Sequence, residues 1–336
     1  MAIVSAKEKT DDAVRLISAF QGGNIKPLSL GEEPLFQWMN DIMVAGLLPS
    51  TIITIGGMSN HGKTHLLQRI EDNLIKQGDD VVLVRCNWES SVYKLVLRKI
   101  SNKTGVPIKQ LLLKEPSPEL RAQIKAICDE ERQGNLHYNE KIVTPDEFYN
   151  DLSAFLKEHK NKKVVVTIDH AGLIKGREKQ SIDALFEKLN ILKKEHPYAV
   201  FIVLMQLEKS KLPARLGQHF KEAPTRDDFY GSDQLFQVSD GVFTVYNPYK
   251  IGAQTKFMKF TKDRYQYLSE FMVNGGDKWN HFDPRGNIFY HAIKARDIDS
   301  MEDFKEVFIE SLYDVKEPEV ETNHVTPNNV DNILNM

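Results

Sequence analysis

The chain has 336 residues, 41% of them hydrophobic and 27% charged, with a formal net charge of −3. That balance suits a globular chain with a sizeable core and excludes one held to nucleic acid by bulk positive charge; any such contact must come from local basic loops. Cys86 and Cys128, the only cysteines, lack CxxC spacing, which argues against a disulfide scaffold or zinc site.

No apolar run approaches the ~20 residues of a bilayer span, and "MAIVSAKEKTDD" lacks the order of a signal peptide. The expectation is a soluble chain of a reducing cytoplasm. Residues 7–21 place Ala13, Leu16, Ile17 and Phe20 on one helical face. So short a helix is marginal alone and must dock, on its own domain or on a neighbouring copy. "GGNIKPLSLGEEP" breaks the pattern and reads as a flexible connector.

From there strands and helices alternate. "TIITI" (51–55) is a buried strand, "THLLQRIEDNLIKQG" a helix ending near Gly78, "DVVLVRCN" a second strand and "SSVYKLVLRKISNKTG" a second helix. Residues 107–135 read as a helical insertion. "TPDE" (144–147) is a capping box opening the next helix. "KKVVVTIDH" is a third strand, "SIDALFEKLNILKKEH" a helix, and "YAVFIVLMQ" a fourth strand; "DGVFTVYN" and "TKFMKFTKD" add strands later. The alternation predicts an α/β fold, a mostly parallel twisted sheet with helices on both faces. From residue 315 the polar, proline- and asparagine-containing run reads as a disordered tail, in which "VDNILNM" is a candidate partner motif.

Residues 57–64, Gly57-Met58-Ser59-Asn60-His61-Gly62-Lys63-Thr64, match G-x-x-x-x-G-K-[ST] between a strand and a helix. The glycines let the backbone curl so that successive N–H groups, with the next helix's positive end, point at phosphate oxygens. Lys63 is expected to reach the β- and γ-phosphates of ATP and the Thr64 hydroxyl to ligate Mg²⁺. Asp169, ending an apolar strand, stands where a Mg²⁺-associated carboxylate belongs. Glu89, just past the second strand, suits either a carboxylate that polarises the attacking water or a charge favouring the following helix N-terminus; the residues alone leave both open. Two loops carry basic charge, Lys175, Arg177 and Lys179 in one and Lys209, Lys211, Arg215 and Lys221 in the other. Each reads either as a solvated surface or as a sequence-independent contact to a nucleic-acid backbone.

Taken in order over residues 30–285, these pieces resemble the RecA-like P-loop ATPase domain of DnaB-type hexameric replicative helicases. The resemblance rests on the cradle, Glu89 in "CNWESS", Asp169 in "TIDHAGLI", Gln206 in "VLMQLEKS", the segment "YGSDQLFQVSDGVFTVYN" with Gln237 and Asp240, and "KFTKDRYQYL" with Lys262 and Arg264. Tyr230 and the "YQYLSEF" run depart from the family's usual pattern. The resemblance implies that Gln206 senses the γ-phosphate, that Lys262 and Arg264 are the Lys-x-Arg element whose arginine serves a neighbouring subunit, and that Lys175, Arg177, Lys209, Lys211 and Arg215 meet single-stranded DNA. It also implies a homo-hexamer, partners such as a primase or helicase loader, and a linker helix at 7–21 that packs on the next subunit. The expected division is 1–30 linker helix and connector, 31–314 ATPase domain, 315–336 tail. A recombination or annealing accessory and a regulatory RecA-like ATPase are the alternatives. With no primase-binding domain recognisable, a phage or mobile-element origin is a further expectation.

Overall fold

The structure is a computed structural model describing residues 6–23, 26–43, 46–59, 62–133, 135–176, 178–207, 226–229, 233–246, 256–263, 278–282 and 293–294. Four runs rich in valine and isoleucine form its middle strands: β1 (Thr51–Gly57), β2 (Val81–Asn87), β4 (Lys163–Asp169) and β5 (Ala199–Gln206). β1 and β2 are buried at every residue, β4 and β5 at all but one, as parallel strands covered on both faces require. With β3 (Leu136–Asn139), β6 (Gly241–Tyr246), β7 (Lys256–Asp263), β8 (Lys278–Phe282) and β9 (Ile293–Lys294) they make one sheet, in the order β3-β2-β4-β5-β1-β6-β7-β8-β9. The six strands from β3 to β6 pair in parallel, and β7, β8 and β9 extend the β6 edge antiparallel.

Helices α1 (Ala6–Gln21), α2 (Pro34–Ile42), α3 (Lys63–Ile75), α4 (Val92–Thr104), α5 (Ile108–Leu113), α6 (Pro118–Gln133), α7 (Pro145–Glu158), α8 (Lys179–Glu195) and α9 (Asp233–Val238) fill the connections. One face of the sheet offers Ile53, Ile55, Leu83, Val165 and Ile202 to Leu66, Leu67, Ile70 and Leu74 of α3 and to Phe36 and Met39 of α2. α8 packs against β1 and β5 and, with α7 and α9, lies outside that cluster. Side chains alternate along a strand, so Ile52, Thr54 and Val203 serve this second layer; Thr54 Oγ1 lies 2.8 Å from Ser239 Oγ, just past α9. The expected capping box is present: Thr144 Oγ1 accepts from the Glu147 amide at 3.3 Å, and Glu147 Oε2 accepts from the Thr144 amide at 2.9 Å.

Three features depart from the expectations. β3 follows the helical insertion where no strand was foreseen, because "LHYN" is short and only half-buried; it forms on the β2 edge, with Leu83 paired to Leu136 and Cys86 to Asn139. β8 and β9 were likewise unforeseen. The segment read as a connector is tied to the core: Leu28 and Leu30 are buried, and Leu28 bridges Leu47. α1 does not share that burial. None of its described side chains is buried, and Val14 and Ile17 are each 56% exposed; the side chains of Ala13 and Leu16, and the tail from 315, lie outside the described residues.

Candidate functional site

The carboxyl ends of β1, β2, β4 and β5 lie side by side, Gly57 paired with Gln206 and Asn87 with Asp169. A parallel α/β sheet binds its ligands at this end. The turn after β1 feeds straight into α3 through Gly62, whose φ of +84° is left-handed and suits glycine. At Gly57 a Cβ would come within 2.7 Å of the Val245 carbonyl, so the close backbone approach on which the cradle depends needs glycine there. Lys63, the first residue of α3, folds back and donates from Nζ to the carbonyls of Gly57 (2.7 Å) and Met58 (2.9 Å). Burial lowers its pKa to about 8, against the opposing pull of the Asp169 and Glu89 carboxylates.

Thr64 donates from Oγ1 to Asp169 Oδ1 at 3.3 Å, joining the start of α3 to the end of β4. The other oxygen of Asp169 accepts from Arg85 Nη2 at 2.9 Å, and Arg85 Nη1 donates to Glu71 Oε2 at 2.5 Å. Glu71 Oε1 accepts from Thr167 Oγ1 at 2.6 Å. Arg85, Glu71, Thr167 and Asp169 are all buried. Burial pushes the Glu71 carboxyl up, opposed by Arg85 and by the Thr167 hydrogen bond.

Above this lies an open cleft of about 380 Å³. Its walls include Ser59, Lys63, Thr64, Glu89, His170 and Gln206, with Arg98 and Asn102 of α4 opposite. Glu89 is exposed on the rim, on a loop held to β4 by the Trp88 amide donating to the Asp169 carbonyl at 3.0 Å. Gln206 donates from Nε2 to Ser59 Oγ at 2.9 Å. Next to it Leu207 bridges Phe229, whose ring lies where a Cβ on Gly56 would come within 2.3 Å. The cleft thus brings together Ser59, Gly62, Lys63, Thr64, Glu89 and Gln206 of the residues expected from sequence; Gly57 and Asp169 are buried behind it, in contact with Lys63 and Thr64, and Met58 is buried beneath the turn. Lys175 is exposed on the loop after β4. Asn60, His61, Arg177, Lys209, Lys211, Arg215, Lys221, Tyr230, Arg264 and the side chain of Lys262 lie outside the described residues.

The donor set suits a nucleotide with Mg²⁺. Mg²⁺ prefers hard oxygen, keeps several waters and takes one or two protein oxygens beside phosphate oxygens, and here a hydroxyl and a carboxylate face the cradle. Among the described residues there is no cluster of three acidic, histidine or cysteine side chains that would cage a metal without a phosphate.

Sequence reading passed over Arg85, Glu71 and Thr167. The signal was there in "VVLVRCN": an arginine inside a run buried on both faces must have partners. Arg98 and Asn102 carried none, since the place of α4 across the cleft is a tertiary fact.

The profile of the DnaB-like helicase C-terminal domain matches residues 35–274. Among solved structures, an ATPase domain superposes with a TM-score of 0.68 at 16% identity, over 86% of this chain and 100% of that one. A DnaB-like replicative helicase, described with its interactions with primase, superposes with a TM-score of 0.62 at 16% identity, over 78% of this chain and 62% of that one. No curated protein sequence matches. At this identity the superpositions establish the RecA-like fold, while the profile spans most of the chain. The chain belongs to the DnaB-like helicase C-terminal domain family and is an ATP-hydrolysing DNA helicase.

Proposed function

We propose that the cleft binds ATP with Mg²⁺ and that hydrolysis there drives movement along single-stranded DNA by a homo-hexameric ring. The observation carrying this reading is the meeting of Thr64 Oγ1 and Asp169 Oδ1 at 3.3 Å beside the Lys63 ammonium, with Glu89 and Gln206 on the rim. In this reading the amides of residues 57–64 and Lys63 hold the triphosphate, and Thr64 and Asp169 hold Mg²⁺, which when bound neutralises phosphate charge. Glu89 takes the proton of the attacking water, and Gln206 senses the γ-phosphate through its tether to Ser59. Arg264, with Lys262, completes the neighbouring subunit's site. A guanidinium lent in this way stabilises the spread charge of phosphoryl transfer only when the neighbour is docked, which ties chemistry to assembly.

The exposed Val14 and Ile17 of α1 support a linker helix that docks on the next copy. Lys175, Arg177, Lys209, Lys211 and Arg215 track the DNA backbone. A primase or loader is the further partner, by analogy with the replicative helicase studied with primase, and the setting is a bacterial or, for a phage protein, host cytoplasm. No described helix is long and apolar enough to cross a membrane.

Steady-state ATPase with and without single-stranded DNA, alongside strand displacement, tests the reading. DNA should stimulate hydrolysis and displacement should need ATP. A filament-forming recombination accessory would bind DNA without processive unwinding, and a regulatory ATPase would ignore it. Arg264→Ala should abolish hydrolysis with nucleotide affinity nearly intact; loss of binding as well would overturn the finger assignment.

A further inference from the structure

β2 is buried at every residue and apolar up to its closing Asn87, apart from one guanidinium within it. Arg85 is 1% exposed, and its two terminal nitrogens go to carboxylates on two other elements: Glu71 of α3 at 2.5 Å and Asp169 of β4 at 2.9 Å. Those three elements carry the site. α3 begins with Lys63 and Thr64, β4 ends in Asp169, and the loop after β2 carries Glu89. Glu71 lies seven residues beyond Thr64, two helical turns on and on the same face. A buried ion pair is weak evidence for stability, since apolar residues of the same volume often do as well. Its presence here calls for another role.

We propose that Arg85 is a positioning residue: one guanidinium fixes α3, β2 and β4 in the mutual register that sets the Asp169 carboxylate toward the Mg²⁺-nucleotide. Asp169 has both oxygens engaged, Oδ1 by Thr64 and Oδ2 by Arg85, so its plane cannot swing away from the cradle. Thr167 completes the clamp from within β4 by holding the second oxygen of Glu71 at 2.6 Å. A planar fork meets two carboxylates in fixed directions, which a lysine ammonium on a flexible stem does not. This inference rests on the Mg²⁺-nucleotide reading of the cleft.

The test is Mg²⁺ titration of a fluorescent ADP analogue bound to the full chain, with kcat and thermal midpoint measured in parallel. Partners that orient a metal-binding group typically contribute 10–100-fold in metal affinity or activity. Arg85→Lys should therefore raise the half-saturating Mg²⁺ concentration by about ten-fold and lower kcat at ordinary Mg²⁺, while affinity for the analogue in EDTA stays within about two-fold. Excess Mg²⁺ should recover part of the loss, which a purely structural role would not allow. Glu71→Gln, which keeps shape and the Thr167 contact, should move the Mg²⁺ midpoint the same way by less, and it carries the test by the same criterion should the lysine variant not fold. A folded variant whose thermal midpoint falls while its Mg²⁺ midpoint and kcat stay within about two-fold of the parent would overturn the clamp alone. A parent protein indifferent to Mg²⁺ would overturn the reading of the cleft and the clamp with it.

Discussion

With its ammonium 2.7 Å from the carbonyl of Gly57 and 2.9 Å from that of Met58, Lys63 grips the turn it is expected to share with phosphate. On the proposed reading, nucleotide entry exchanges these backbone carbonyls for phosphate oxygens at the ammonium. Burial is what brings the lysine's pKa down to about 8. A phosphate partner favours the charged form and raises that pKa in the complex, so the free protein must take up a proton to bind once pH exceeds about 8. Affinity for ADP in EDTA should be flat between about pH 7 and 7.5, where the phosphates of ADP are already ionised, and fall by up to about ten-fold per unit between about pH 8 and 9.5. Calorimetry across that range checks it; a flat profile would mean that Lys63 keeps its charge throughout. The cradle was legible in the sequence because its motif encodes backbone geometry locally: glycines where φ is positive or a Cβ would collide, then a helix start. The Arg85 clamp was not, because its partners stand 14 and 84 residues away, and only the packing of α3 on β2 and the pairing of β2 with β4 bring them together.

At the scale of elements, the same division recurs. α7 could be read to the residue at its start, since Thr144 and Glu147 satisfy each other's amides without help from the rest of the fold. Thr144→Ala should lower stability by about 1 kcal/mol, measured by denaturant titration, with activity unchanged. An effect under a few tenths would place the burden of that helix start on packing by Phe148 and Leu152 instead. β3 is the opposite case. Nothing in "LHYN" demands a strand, and the segment becomes one through the backbone groups that β2 leaves open on its outer edge. Leu28 and Leu30 teach the same lesson from within a run of glycines and prolines: turn chemistry marks where a helix ends, not whether the chain that follows is buried.

Over the whole molecule, the net charge of −3 leaves no general attraction for DNA, so the proposed grip depends on a few cations. Replacing Lys209, Lys211 and Arg215 together by glutamate should weaken single-stranded DNA binding at low salt. It should also reduce the slope of log affinity against log salt by about 2, three contacts at ~0.7 each for a single strand. An unchanged slope, read by fluorescence anisotropy over a salt series, would move the DNA path elsewhere. Leu207 and Phe229, the described residues on either side of those positions, touch as a bridge. Gln206, beside Leu207, is stitched to the cradle through Ser59, and Phe229 wedges an aromatic ring over Gly56, one position before Gly57. Leu207 and Phe229 both therefore bear on the strand that opens the phosphate turn. Any tightening of that turn therefore bears on Leu207 and Phe229 together, and widening residue 56 by even one methyl would force the Phe229 ring aside.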